Sequence, residues 1–252
     1  MSAVTLPPER THPDLRAVIE HAVTNDPRTL QVELGPSEIG LGCDRCLVHL
    51  LAGHAETELT IPWLPTIGNA VHDWLETTFL QHLAATGSDR YLPEIAVNVG
   101  QLRGVDITGH SDLFDVHTGT TIDWKIVGAT TLKKVKHHPT VTYRNQLHLY
   151  GRGMRRAGYD VRHVAIWFLP RNALTIDAGR YWTEPYDEAV ADAALARANA
   201  LAAGVDALGV DAVLTQVPAH TGAEFTCTKW ATDSPTPPGA GADRQLAGLI
   251  PA

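Results

Sequence analysis

Near Glu94 the hydrophobic period of the chain changes, and that change limits the fold more than any other feature. Upstream, LPTIGNAVHDWLETTFLQHLAATG carries apolar residues at Val71, Leu75, Phe79 and Leu83, the spacing of a helix ending near Gly87. Downstream, EIAVNVG, VDITGHSDLFDV and TTIDWKIV are short, β-branched and separated by glycine-containing turns, the pattern of a strand meander. Helical spacing returns from about Thr140 to Arg156. A strand VRHVAIWFLP, a second strand near ALTIDAGRYW and an alanine-rich helix from Tyr186 to about Ala203 follow. The order helix, strands, helix, strand, helix predicts the α/β class, with a mixed central sheet flanked by helices.

The remaining segments read as attachments. THPDLRAVIEHAV suggests a short helix with Thr11 or His12 near its cap, and SEIGLGCDRCLVHLLAG a capped turn at Ser37 followed by a short helix bearing two cysteines. Residues 1–35 are thus an expected accessory segment and 36–230 the main domain. Residues 231–252, rich in Pro, Gly and Ala, read as a mobile tail. No run approaches the roughly 18 apolar residues of a membrane span. The opening MSAVTLPPERTHPDL lacks the basic start and apolar stretch of a secretory signal, which predicts a cytoplasmic protein with reduced or metal-bound cysteines.

A formal net charge of -8 argues against a polyanionic partner until its distribution is considered. Between Lys125 and Arg162 lie nine Lys or Arg against the single acid Asp160, so that segment is +8 and the remainder -16. Salt screens exposed charges over about 10 Å, so a local basic surface containing Lys133, Lys134, Lys136 and Arg144 could meet phosphate despite the distant acids. A solvated helix face accounts for the same pattern.

The chemistry-bearing residues begin with TTIDWKIV. Asp123 and Lys125 are two apart on a predicted strand and leave it on one face, while Trp124 points to the other. A strand-edge ion pair explains the triplet. The apolar flanks Ile122, Trp124, Ile126 and Val127 nevertheless indicate an interior strand, where charge is expensive without a partner or a metal. In GHSDLFDV, Asp112 follows a glycine kink, and a hairpin would set it beside Asp123; two carboxylates together suit Mg2+ or Mn2+. Asp112 could equally serve a turn, and Asp115 is its rival on the opposite strand face. His72 lies on the face of its helix shared with Leu75 and Phe79, as a core histidine also would. Gln146 and Tyr150 share a helical face by their four-residue spacing, which core-edge packing explains unaided.

Read in order, SEIGLGCDR, GNAVHDWLE, GHSD, IDWK and QLHLY resemble five successive motifs of the RecB-like branch of the PD-(D/E)XK nucleases, a branch that includes the CRISPR-associated RecB-like exonucleases. The resemblance implies a restriction-endonuclease-like core and cleavage of DNA, with an exonuclease as the leading form, in recombination, repair or viral DNA processing. It also implies that Asp112 and Asp123 bind Mg2+ or Mn2+, that His72 completes or adjusts the shell and that Lys125 positions or activates water. Gln146 and Tyr150 would support the site or contact DNA, and Glu94 would add an outer acid. DNA is the implied partner, with a recombination or helicase protein as an unidentified second.

Cys43 and Cys46 form a CxxC pair with His49 three residues on, and Cys227 lies far downstream. Many nucleases of this branch hold a [4Fe-4S] cluster on one early and three late cysteines, whereas this chain has two early and one late. Three readings stay open: a cluster completed by His49 or His220, a zinc site, or buried thiols without a ligand. Two other functional classes compete with the nuclease. A DNA-binding module without activity conflicts with the intact Asp112, Asp123 and Lys125. A thiol-redox protein conflicts with the missing thioredoxin-like strand before Cys43.

Overall fold

The structure, a computed structural model, describes residues 13–25, 34–54, 63–135, 138–218 and 225–230. Eight α-helices occur among these: α1 (Pro13–Thr24), α2 (Pro36–Ile39), α3 (Asp44–Leu51), α4 (Trp63–Thr86), α5 (Ala129–Lys134), α6 (Val141–Arg156), α7 (Glu188–Leu208) and α8 (Val210–Gln216). Five strands, β1 (Tyr91–Leu102), β2 (Val105–Asp115), β3 (Thr120–Val127), β4 (His163–Pro170) and β5 (Arg180–Pro185), form one sheet in chain order. β3 and β4 run parallel and every other neighbouring pair is antiparallel. This is the mixed α/β sheet that the change of period predicts. A parallel neighbour cannot be reached by a tight turn, and α5 and α6 supply the crossover between β3 and β4.

The β1–β2 hairpin turns on Arg103 and Gly104, both with positive φ (51° and 77°), which fits the right-handed twist of the strands it joins. Arg103 also reaches across to α7, with Nη2 2.8 Å from Asp206 Oδ1. Val97, Val99, Ile107 and Phe114 from the sheet pack with Leu149 and Met154 of α6. Small residues of α7, Ala191, Ala194, Ala198 and Ala202, recur at helical spacing in the same core and let that helix approach closely. The opposite face of the sheet buries Leu113, Trp124 and Leu169 against Leu75 and Phe79 of α4, with Phe79 stacked on Trp124 at a centroid distance of 5.8 Å. Alternation along β3 therefore sends Trp124 toward α4 and leaves Asp123 and Lys125 toward α6.

Several local expectations are revised. Ser37 does not cap a helix: the Gly35 N–H donates to Glu38 Oε2 (3.0 Å), and the Ser37 hydroxyl donates to the same oxygen (2.9 Å). α5 and the 3-10 turns at Ile176–Ala178 and Phe225–Trp230 are too short to imprint a period on the sequence. The cap of α1, the opening residues and the tail 231–252 lie outside the described residues. No helix among the described residues is long and apolar enough to cross a membrane.

Candidate active site

The site forms where β2 and β3 part. Their ladder runs through Asp115–Thr120, Phe114–Thr121 and Leu113–Ile122 and stops there. At the next position the Asp112 carboxylate takes the place of a backbone rung, Oδ2 accepting a 2.8 Å hydrogen bond from the Trp124 N–H. The outer strand is interrupted at the same level. Pro93 pairs with Leu113 and Ile95 with Ser111, so Glu94 lies opposite Asp112, but no rung joins these two and Glu94 has a φ of 49°. A non-glycine residue in the left-handed region is strained by about 1–3 kcal/mol and persists only where its surroundings fix it.

α4 contributes His72, with Nδ1 3.3 Å from Asp112 Oδ1. His72, Glu94 and Asp112 offer ligand atoms that all lie within 4.8 Å of one another. Asp123, on the neighbouring strand, is 2% exposed, and its Oδ2 forms a 2.8 Å ion pair with Lys125 Nζ. Among the described residues no aligned hydrogen bond completes that oxygen. Lys125 also stands over the Tyr143 ring of α6, 5.1 Å from its centroid. An oxygen-rich set with one imidazole and an incompletely bonded buried carboxylate oxygen suits a hard divalent cation.

These charges perturb one another. Burial pushes the Asp123 carboxyl up, the Lys125 ammonium pulls it down and the Asp112 charge adds to the rise, for a net value of about 6. For Lys125, burial acts downward, but Asp123 and Asp112 outweigh it and hold the ammonium above its ordinary value. His72 follows the same pattern, with burial overcome by its hydrogen bond to Asp112. Burial, reinforced by the Asp123 charge, pushes the Tyr150 phenol up, so it stays protonated. Gln146 Nε2 donates to the Tyr150 hydroxyl at 3.5 Å, the long limit of such a bond, so the predicted pair does share one face.

Gly109 needs a different explanation from the expected kink. The shift of register lies in β1, between Asn98 and Gly100, while Gly109 pairs regularly with Val97. A Cβ at Gly109 would stand 2.7 Å from the Pro36 ring and 3.2 Å from Tyr150 Cε1, so glycine here admits α2 and Tyr150 to the sheet. Asp115, the rival carboxylate, is bound by Arg90 through two hydrogen bonds (3.1 and 2.7 Å) and accepts from the His117 N–H at 3.0 Å. It belongs to the closed end of the β2–β3 pair.

The basic segment is less open than its charge count along the chain suggests. Arg144 bonds Glu184 at 2.5 Å, and Arg152 and Arg155 both reach Glu188. Lys133 and Lys134 are exposed on α5, which begins two residues after β3 ends, and Lys136 lies outside the described residues. His148, inside the QLHLY segment, is fully buried between two partners: Nε2 is 2.7 Å from Glu184 Oε1, and Nδ1 accepts from the Asp187 N–H at 3.1 Å. The residue nearest the centre that spacing could not place is Glu94, because nothing local to PEIAV announces its left-handed backbone.

The three cysteines converge at the start of α3. Cys43 is the N-cap of α3, Cys46 lies one turn on, and Cys227 comes from the turn Phe225–Trp230. All three are buried and no disulfide joins them. His49 is not the fourth member of the group: its ring stacks on Trp230 at 5.0 Å, and its Nδ1 is 3.0 Å from His54 Nδ1. His220 lies outside the described residues.

No family model matches the chain. No curated protein matches it either. Among solved structures it is similar to an alkaline exonuclease (LHK-Exo) from Laribacter hongkongensis, at 12% identity over 71% of this chain and 90% of that one, with a TM-score of 0.46. The same exonuclease in complex with dAMP gives 14% identity, the same coverage and a TM-score of 0.45. SSO0001 gives 16% identity over 77% and 84% of the two chains, with a TM-score of 0.42. At such values the likeness is one of outline, and the chemistry rests on the side chains described above.

Proposed function

We propose that this protein is a metal-dependent deoxyribonuclease, an exonuclease by preference, that hydrolyses phosphodiester bonds at the fork between β2 and β3. The observation that carries the reading is the convergence there of His72, Glu94, Asp112, Asp123 and Lys125 from four separate elements. Structural ion pairs alone give no reason to gather an imidazole and two carboxylates at one strained backbone position, with the buried Asp123 on the neighbouring strand. The order of motifs seen in the sequence supports the same reading and makes DNA the substrate.

His72, Glu94, Asp112 and Asp123 would hold Mg2+ or Mn2+. When bound, such a cation supplies Lewis acidity toward the phosphate and a lowered pKa for water, together worth several kcal/mol. The chain's own part is orientation. The Trp124 N–H fixes the rotamer of Asp112, and the Asp123 carboxylate holds Lys125 Nζ by their ion pair. The Lys125 ammonium would act as a positive point charge toward the negative charge that develops on the phosphate oxygens. Tyr150 and Gln146 close the α6 side, with the phenol O–H available as a neutral donor. Lys133, Lys134, Lys136 and Arg144 would contribute to backbone contacts, and Arg144 would have to share its guanidinium with Glu184.

End-labelled single- and double-stranded DNA, offered with Mg2+ or Mn2+ and compared with end-blocked and circular substrates, tests the proposal. Degradation that requires the cation and free ends is the expected result. Binding of DNA with no cleavage under any divalent cation would replace the nuclease by a DNA-binding module that keeps the fold.

A further inference from the structure

The cysteine cluster makes a second, separate prediction about this chain. The Sγ atoms of Cys43, Cys46 and Cys227 all lie within 4.8 Å of one another, and those of Cys46 and Cys227, 181 residues apart, are 3.7 Å apart. That separation is far beyond the roughly 2.05 Å of a disulfide. It is the edge of a tetrahedron of sulfurs around one ion, about 3.8 Å for a zinc–sulfur bond of about 2.3 Å. We propose that Cys43, Cys46 and Cys227 bind a single soft divalent cation, zinc by its coordination chemistry, that fastens the Phe225–Trp230 turn to the start of α3.

Three features favour one ion over an iron-sulfur cluster or a simple thiol core. In a four-iron cluster each thiolate sits on its own corner iron, so the cluster itself spaces the sulfurs apart, whereas the 3.7 Å between Cys46 and Cys227 fits two sulfurs on one centre. Cys43 occupies the N-cap position of α3 and Cys46 lies in its first turn, where the positive end of the helix dipole favours negative charge on the sulfurs. The walls are built around the sulfurs: Leu41, Leu50 and Trp230 seal the cluster, and His49 lies flat against Trp230 at an interplanar angle of 9°. Among the described residues no fourth His, Cys, Asp or Glu joins the three. Nothing in the site requires a redox change, because zinc has none.

The experiment uses the full chain, expressed in medium containing both iron and zinc, and reads metal content, acid-labile sulfide and spectrum. About one zinc per chain without labile sulfide is expected. Cys46→Ser and Cys227→Ser should each reduce the zinc to a small fraction of that. Because those variants could fail to fold, the wild-type chain is also stripped with a chelator and titrated with Co2+, which should give the intense visible absorption of a tetrahedral cobalt-thiolate centre, saturating at one equivalent. Iron with labile sulfide would overturn the proposal in favour of a cluster. Protein that holds neither metal and shows no cobalt-thiolate absorption would reduce the three cysteines to packed thiols.

Discussion

β2 and β3 carry an aspartate at each end of their short ladder, and the two ends treat that side chain in opposite ways. At the closed end Asp115 faces Arg90 in a two-point contact and accepts a turn N–H, so its charge is met completely. At the open end Asp112 and Asp123 meet one imidazole, one ammonium and another carboxylate. The same residue type is therefore fully paired at one end and, in the proposed reading, would serve a cation at the other. What separates the roles is whether an arginine arrives: β1 begins just after Arg90 and supplies it to the closed end, whereas at the open end β1 supplies Glu94.

The sharpest way to break this contrast is to remove one carboxylate from each end. Asp123→Ala is expected to lower the cleavage rate by at least about a thousandfold, on the scale of losing a metal ligand or transition-state charge, with DNA binding largely retained. Lys125→Ala should behave similarly. Asp115→Ala should leave the chemical step near wild type and instead destabilise the fold by on the order of 1–3 kcal/mol, read by denaturant unfolding, because the turn amides lose a buried acceptor. Exchanged outcomes, with activity lost at Asp115 and stability lost at Asp123, would dissolve the distinction.

A pH series sharpens the closed end. Burial acts to raise the Asp115 carboxyl, but the hydrogen bonds from Arg90 and Thr118 outweigh it, and the net shift is downward. A depressed folded-state pKa gives stability that is complete above the unfolded value, near 3.9, and is lost as pH falls through the folded value. The stability gap between wild type and Asp115→Asn should therefore be constant above about pH 5 and close as the pH drops below about 3.9. The smallest effect is expected on binding: replacing Lys133 and Lys134 by Ala should reduce the slope of log affinity against log salt by about one or two units. An unchanged slope would remove α5 from the DNA surface.

Much of this contrast is readable from the chain. Alternation in TTIDWKIV puts Trp124 on one face and Asp123 with Lys125 on the other, since a strand has only two faces to offer. The helical spacing through Val71, Leu75 and Phe79 likewise orients His72 toward the sheet. The contest between Asp112 and Asp115 is another matter, because it turns on Arg90, which lies 25 residues from Asp115 and pairs only after the hairpin closes. Glu94 depends on an interrupted rung and a left-handed φ that its neighbours do not encode. Counting charge along residues 125–162 overstates the exposed basic surface, because Glu184 and Glu188, more than thirty residues away in sequence from their partners, return to Arg144, Arg152 and Arg155. Local period survives into the fold, whereas the partners of charged groups are set by distant packing.

The hydrogen bond from Trp124 to Asp112 carries one more consequence. An amide within a sheet is ordinarily shielded from solvent exchange by another strand's carbonyl, but this one is shielded by a side chain that would also be a metal ligand. Its exchange with deuterium should slow when Mg2+ or Mn2+ is added, while amides at the Asp115 end keep their rates. That single proton makes the backbone a gauge of occupancy, readable without substrate or turnover.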